Sequence, residues 1–335
     1  MKLEDYMDKF DVTLCEDNYG QNMMESSLAD WLELAALQNV RSPWSVIVDS
    51  WEDVGIGRYD RSNVIPTGAS ESETLDYYNM VRVEIQMRST YLDDKYPFIF
   101  NNFDSLVVKP GFNIKNSSYI DYLCVSLLKG FRISESGPLL KLITTYFEQL
   151  VNASVSSRIK ASGGWRHLKT AVMGTSMGGE SFDERLLSTA STLGLAGDPT
   201  RATRSAKAKD DGVDIISGIV WDDGGRLDEL FLVQAACGKS SEWAKKLDRV
   251  HNQKWAEYLS ELAVPRSVIA VPYHMTERAR SMTIDSYGNH SYLDRLRLVD
   301  LAGRFTPTGN DIFTEKRSHM VDAVETELGL DIRLP

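Results

Sequence analysis

A succession of short apolar runs in the second half of the chain constrains the fold more than any other sequence feature. The elements predicted in chain order are a helix (181–195), three strands (203–208, 212–221 and 229–236), a helix (240–262) and a strand (266–274). The strand segments are rich in Val, Ile and Leu and are bounded by turn residues, as in DDGG at 222–225. Strands that alternate with helices predict an α/β fold with a mixed sheet flanked by helices.

The first half of the chain is predicted to be mainly helical. Apolar residues recur at helical spacing over 25–37, 72–92, 119–131 and 138–151, and YPFIF at 96–100 predicts a strand. Ser, Ala and Gly replace this spacing over 152–165, which indicates a boundary. Because 335 residues exceed the usual size of a single core, we expect two domains, a helical one over 1–155 and an α/β one over 156–335.

The charge of the chain is unevenly distributed. The net charge is −11; residues 1–150 contain 13 Lys and Arg against 23 Asp and Glu, a net of −10, and residues 151–335 contain 24 against 25, a net of −1. An acidic chain is an unusual partner for DNA, whose phosphates attract clustered Lys and Arg. The basic segments 158–169, 201–209 and 245–254 of the second half either form a phosphate-facing surface or are three solvated faces.

The cysteines and the N-terminal sequence favour a soluble, cytoplasmic protein. Cys15, Cys124 and Cys237 lie far apart and have neither a disulfide nor a zinc spacing. The acidic start MKLEDYMDKFDV lacks the features of a signal peptide, and no apolar run has membrane-spanning length. We therefore expect no membrane partner.

Two short motifs suggest chemistry that the rest of the sequence does not support. GTSMG at 174–178 fits the elbow that presents a nucleophilic serine, here Ser176, but no His-bearing Gly-rich loop precedes it to supply oxyanion donors. CGKSS at 237–241 is similar to the end of a phosphate-binding loop, but Val233 occupies the position of the required first glycine. A serine hydrolase remains a third alternative, and a Gly-rich turn before a helix explains GTSMG equally well.

Polar residues at the predicted strand ends form a better candidate site. Asp211 and Asp214 precede one strand, Gln234 ends the next, and a hairpin through DDGG would bring Asp214 close to Gln234. Glu184 lies on the preceding predicted helix, and Lys246 lies on the following one. Hydrolysis of a phosphodiester with Mg²⁺ needs oxygen ligands and a cation, which these side chains can supply. The alternative without a functional site is that Asp211 and Asp214 are turn residues and that Gln234 forms hydrogen bonds with backbone groups at the strand end.

The segments SAKAKDDGVDIISG and FLVQAACGKSSEWAKK resemble the PD-(D/E)XK nuclease superfamily, in particular its Mrr-like restriction branch and related nucleases of bacterial phage defence. The resemblance covers about residues 165–275. It implies a restriction-endonuclease-like core of helix, three strands, helix and strand, preceded here by the mainly helical domain. An Asp at the second strand and a Glu or Gln at the third characterise such proteins.

Carried over by residue, the resemblance assigns metal binding to Glu184, Asp214 and Gln234, with Lys246 as the fourth catalytic residue. One departure from the family pattern is that its lysine lies two residues after the Glu or Gln, where this chain has Ala236. Activity then requires a lysine on the following helix. Lys239 and Lys245 are substitutes for Lys246.

The resemblance implies a Mg²⁺- or Mn²⁺-dependent DNA endonuclease, an effector of bacterial anti-phage defence or restriction. The basic residues expected to contact DNA are Arg201, Arg204, Lys207, Lys209 and Lys245. The acidic first half is expected to repel DNA and to dock on a regulatory or motor protein such as an ATPase or helicase. A catalytically degenerate DNA-binding or adaptor subunit is the alternative from a different class.

Overall fold

The computed structural model describes residues 24–37, 71–101, 105–130, 138–160, 166–173, 181–202, 211–221, 229–238, 240–260, 264–281, 291–302, 317–320, 322–323 and 326. These residues form helices and a mixed sheet, so the chain has a mixed α/β fold.

The helices predicted in the first half are present close to the predicted bounds. They are α1 (Met24–Leu37), α2 (Glu71–Leu92), α3 (Ser118–Gly130) and α4 (Pro138–Lys160), with 3-10 helices at Asp93–Lys95 and Ile114–Asn116. The strand predicted over 96–100 begins an antiparallel hairpin of β1 (Phe98–Asn101) and β2 (Ser105–Val108). Within the described ranges, no helix has both the length and the apolar composition needed to cross a bilayer.

Helix α4 extends to Lys160, well into the segment that the sequence predicted as a boundary. The reason is that Val151 and Val155, four residues apart, are both buried on the face that packs on the core. Ser154, between them, is hydrogen-bonded to Tyr122 of α3 at 2.7 Å. The Ser- and Ala-rich composition therefore reflects close helix packing, while the division of the chain into two domains stays a prediction.

Five of the described strands form one mixed sheet in the second half. In sheet order they are β3 (Arg166–Val172), β4 (Ile215–Trp221), β5 (Glu229–Ala235), β6 (Arg266–Ala270) and β7 (Ser291–Leu293). Strand β4 is antiparallel to β3 and to β5, whereas β6 is parallel to β5 and β7 is parallel to β6. The helices described in this half are α5 (Phe182–Leu193), α6 (Ser240–Asp248), α7 (Asn252–Tyr258), α8 (Glu277–Arg280) and α9 (Arg295–Ala302).

The bounds of one predicted strand and the order of the first elements need correction, and one predicted strand is untested. The first strand of the sheet is β3, which precedes α5, and the predicted strand 203–208 lies outside the described residues. The strand predicted over 266–274 ends at Ala270 and is not the last, because β7 pairs with it. Such a three-residue strand has too short an apolar run to be recognised from sequence.

The prediction of a single long helix over 240–262 is wrong, because the helix is interrupted between α6 and α7. Arg249 and Val250 donate their N–H groups to carbonyls three residues earlier, at 3.1 and 3.0 Å, which ends α6. The break lets the two tryptophans enter different apolar clusters. Trp243 packs with Tyr273, and Trp255 packs with Phe182.

Both faces of the sheet are covered. On one face, Val233 and Val268 belong to the same apolar cluster as residues of α1, α3 and α4. On the other face, Ile216 and Leu232 pack with α5 and α7, and Ala236 packs with α6. Because side chains alternate along a strand, Gln234 belongs, like Leu232, to the face that carries α5, α6 and α7.

A buried ionic cluster connects α1 and α2 to the start of α9. Arg295 donates both terminal nitrogens to the Asp30 carboxylate, at 2.6 and 2.5 Å. Arg88 donates to Asp30 at 2.7 Å and to Glu33 at 2.9 Å. Both guanidinium groups are completely buried. Although burial alone would raise the pKa of Asp30, Arg295 and Arg88 lower it below its usual value, so this carboxyl is ionised.

Candidate functional site

The start of β4 and the end of β5 bring Asp214 beside Gln234. The last cross-strand pair at this end is Ile215 of β4 with Val233 of β5, and Asp214 and Gln234 are the residues that adjoin it in the chain. The Asp214 N–H donates to the Val233 carbonyl at 3.0 Å, and the Asp214 Oδ2 accepts the Ala235 N–H at 2.8 Å. The Asp214 carboxylate therefore lies directly at the end of β5.

Gln234 is a buried polar side chain whose oxygen has no protein partner in the described part of the chain. The residue is 9% exposed, and Gln234 Oε1 accepts no hydrogen bond from any described residue. Burying an amide oxygen without a partner is unfavourable by roughly 1–3 kcal/mol. A water or an external ligand can supply the missing hydrogen-bond partner of this oxygen.

The turn that leads into β4 is held by a contact with α7. The Asp211 carboxylate forms an ion pair with the Lys254 ammonium of α7 at 2.5 Å, and both side chains are mostly buried. The same ammonium lies 5.5 Å from the centre of the Tyr258 ring. No local sequence pattern connects Lys254 to Asp211, because the two residues meet only in the folded chain.

Glu184 has a local role in the structure. Its carboxylate accepts the Ser181 N–H at 2.7 Å, and the Ser181 side chain accepts the Glu184 N–H, which is a capping box at the start of α5. The Ser181 N–H and the Ser181 hydroxyl, which both donate to this carboxylate, lower the pKa of the exposed Glu184 carboxyl. The sequence SFDE contained this signal, a Ser followed three residues later by Glu. A metal-binding role beside Asp214 stays a prediction.

Helix α6 is anchored through Trp243. This side chain is fully buried, donates from Nε1 to the Gly238 carbonyl at 3.0 Å and stacks on Tyr273 with a centroid separation of 5.9 Å. Lys245 is exposed and pairs with Glu242 at 3.1 Å.

Lys246 is half-buried and has no ion-pair partner among the described residues. Ala236, at the position of the family lysine, is fully buried in the cluster around Trp243, and its N–H donates to the Ala270 carbonyl at 2.8 Å. Of the two substitutes, only Lys245 lies in the described part, because Lys239 is outside it.

Only part of the predicted DNA-binding surface is described. Arg201 is exposed and pairs with Asp198 at 3.3 Å. The other basic residues of that segment, Arg204, Lys207 and Lys209, lie outside the described residues, as does Ser176 with its GTSMG motif.

The donor set at the end of β5 fits a hard divalent cation. In the described ranges, no three His, Cys, Asp or Glu side chains cluster as a metal site. Asp214 and Gln234 nevertheless supply a carboxylate and an unpartnered amide oxygen from neighbouring strands at the same end of the sheet. Mg²⁺ commonly takes one or two carboxylates and completes its shell with waters and substrate phosphates, so a pair of protein oxygen ligands suits it.

Comparison of the chain with protein-family models, with curated proteins and with solved structures finds no match.

Proposed function

We propose that the chain is a Mg²⁺- or Mn²⁺-dependent DNA endonuclease with a restriction-endonuclease-like core. The predicted order placed helix 181–195 before all three strands, whereas the described order is α4, β3, α5, β4, β5, α6, α7 and β6. A mixed sheet with helices packed on both faces supports the proposed core. An Asp precedes the second of these strands and a Gln lies in the third, as the resemblance requires.

One observation carries the proposal, namely the orphaned Gln234 Oε1 beside Asp214. A purely structural glutamine at a strand end would use its amide oxygen to accept a backbone or side-chain hydrogen bond, and no described residue donates one. The Asp214 carboxylate next to it supplies the negative charge that a divalent cation requires.

In the proposed reaction, Asp214 and Gln234 hold the divalent cation at the end of β5. When bound, such an ion polarises a phosphate and lowers the pKa of a coordinated water. The Ala235 N–H, which donates to Asp214 Oδ2 at 2.8 Å, helps to hold the carboxylate at this end of the strand. Glu184 is the third proposed ligand. Contacts from Arg201 and Lys245, and from the undescribed Arg204, Lys207 and Lys209, are proposed to neutralise DNA phosphates.

The end of α6 lies beside the turn that precedes Asp214, which supports a role for Lys246. A Cβ added to Gly212 would lie 3.2 Å from the Arg249 carbonyl oxygen. The Arg249 N–H donates to the Lys246 carbonyl at 3.1 Å. Lys246 is therefore one helical turn from the residue that touches this turn, and we propose that its ammonium orients the attacking water.

We propose that the protein is a defence effector in the cytoplasm. A regulatory or motor protein that binds the acidic first half would control it. A non-catalytic DNA-binding subunit is the second candidate, and the buried Ala236 in place of the family lysine favours it. The two candidates differ in whether bound DNA is cut when Mg²⁺ or Mn²⁺ is added.

The test compares Asp214→Asn with Asp214→Ala. The Asn variant retains an oxygen that can accept the Ala235 N–H, so it should keep its melting temperature while losing the charge that binds the metal. Replacing groups that only support metal ligands typically reduces metal affinity or activity 10–100-fold, so loss of a ligand should reduce plasmid cleavage by about 100-fold or more. The Ala variant should in addition lose about 1–3 kcal/mol of stability, because the Ala235 N–H loses its acceptor.

The matched control is Asp300→Asn. It neutralises an exposed carboxylate of α9 that pairs with Lys95, and it should leave cleavage unchanged. Normal cleavage by Asp214→Asn would overturn the proposal. Salt-dependent DNA binding by the wild-type chain without cleavage in either metal would establish the non-catalytic candidate instead.

A further inference from the structure

The turn before β4 has a backbone conformation that needs support. Asp211 has φ of +50° and Gly212 has φ of +81°, so two successive residues are left-handed. This conformation is unfavourable for a residue with a Cβ, and Asp is one of the few that tolerate it. Surrounding contacts must therefore stabilise Asp211 in this turn.

Those contacts come from the α6–α7 connection and from α7. Gly212 lies so close to the Arg249 carbonyl that a Cβ would come within 3.2 Å of its oxygen. The Asp211 carboxylate pairs with Lys254 at 2.5 Å, and the aliphatic stem of that lysine leads back to α7, which is anchored in the core by Trp255 and Tyr258.

The turn determines where Asp214 lies. Val213, between the turn and Asp214, is fully buried, and the Asp214 carbonyl accepts the Met173 N–H at 2.6 Å. Its side-chain oxygen accepts the Ala235 N–H at 2.8 Å. Because only Gly212 and Val213 separate Asp211 from Asp214, we expect a rearrangement at Asp211 to shift the Asp214 carboxylate.

We propose that Lys254 is a positioning residue, which acts through its ion pair with Asp211 to hold the Asp214 carboxylate at the end of β5. Lys254 does not itself touch the metal or the DNA in this assignment. The inference rests on the proposed function in so far as Asp214 is taken as a metal ligand.

The first measurement does not depend on metal or on cleavage. Hydrogen exchange of the Ala235 amide reports whether the Asp214 carboxylate still accepts that N–H. Lys254→Met should accelerate this exchange, Asp211→Asn should have a similar effect, and Lys254→Arg, which retains the positive charge, should restore most of the protection. Lys95→Met is the matched control. It removes the ion pair between Lys95 and Asp300 of α9, which has the same 2.5 Å length but lies away from the turn before β4.

The second measurement is the dissociation constant for Mn²⁺ by calorimetry, together with kcat and KM for duplex DNA. Supporting groups around metal ligands typically change metal affinity 10–100-fold when they are removed, and an effect transmitted through the backbone should be at the low end, about tenfold for Lys254→Met. The change should appear in metal affinity and kcat, with KM for DNA nearly constant. The double Asp211→Asn, Lys254→Met variant should be no worse than either single variant, because the two residues act as one pair.

Unchanged Ala235 exchange in Lys254→Met overturns the inference, and so does unchanged Mn²⁺ affinity. A drop in melting temperature that Lys254→Arg does not reverse, without a specific change at Ala235, assigns Lys254 a purely structural role and also overturns it. Failure of the wild-type chain to bind Mn²⁺ would refute the proposed function, while the exchange data would still decide whether Lys254 positions Asp214.

Discussion

Replacing Arg295 by Met should strongly destabilise the fold, because this guanidinium lies at the junction of α1 and the sheet. The Arg295 side chain is completely buried. A Met side chain is about as long as the aliphatic part of Arg, so the packing around that part is largely kept. What is lost is a set of short hydrogen bonds, to the Pro272 carbonyl at 2.8 Å, to the Ser126 hydroxyl at 2.7 Å and to both Asp30 oxygens at 2.6 and 2.5 Å.

The size of the effect follows from what remains around Asp30. Removing one partner of a buried ion pair typically costs about 3–5 kcal/mol. Asp30 keeps Arg88 at 2.7 Å on one oxygen and the Ser126 hydroxyl at 3.3 Å on the other, so the carboxylate is not left entirely unpaired. We therefore expect a loss near the lower end, about 3 kcal/mol, which is a large part of the 5–15 kcal/mol that typically stabilises a domain.

Urea unfolding followed by far-ultraviolet circular dichroism at pH 7 measures this loss. Asp30→Asn and the double variant complete a thermodynamic cycle, in which the two changes should be less than additive by about 0.5–3 kcal/mol. Faster hydrogen exchange in 24–37 should accompany Arg295→Met, since Asp30 lies in α1. A loss below about 1 kcal/mol, or strict additivity, would refute the view that the ionic cluster joins α1 to the sheet.

Two further predictions concern the candidate site and the pH dependence of stability. Lys246→Met should retain Mn²⁺ binding by calorimetry but lose most single-turnover cleavage, and Lys245→Met should be much milder because that side chain is exposed and paired with Glu242; equal rates for the two variants would contradict the assignment. Burial raises the pKa of Asp121 to about 6, against the opposing charge of Arg317, so the folded state binds this proton more tightly than the unfolded state and the contribution of Asp121 to stability falls as pH rises from about 4 to about 6. Asp121→Asn should remove that component from a plot of unfolding free energy against pH, and an unchanged slope would show that the carboxyl is not buried as described.

Most helices and strands were predictable because their signals are local. The helical spacing over 25–37 and 72–92 and the apolar runs over 212–221 and 229–236 correspond closely to α1, α2, β4 and β5. The elements that sequence reasoning misjudged depend on distant contacts. Strand β7 has three residues and exists because it pairs with β6, and the chain breaks between α6 and α7 because Trp243 and Trp255 enter different clusters.

The candidate site was predictable in part. The hairpin between two apolar runs indicated that Asp214 lies near Gln234, since register follows from the turn. The unpartnered state of Gln234 Oε1 could not be predicted, because it depends on every side chain that surrounds the amide. Glu184 was interpreted as a metal ligand, although its spacing from Ser181 also predicted the capping box that the structure contains.

The sequence by itself determined the periodic elements and the polar residues at the ends of β4 and β5, because hydrophobic spacing and turn chemistry act over a few residues. Only the tertiary structure decided which charges are buried together. Asp30 and Arg295 are 265 positions apart, and Asp211 and Lys254 are 43 apart. Taken one at a time, each of these charged residues would be expected on the solvent-exposed surface. Burial removes water from such side chains and makes each depend on a partner of opposite charge, which the chain supplies only once it has folded.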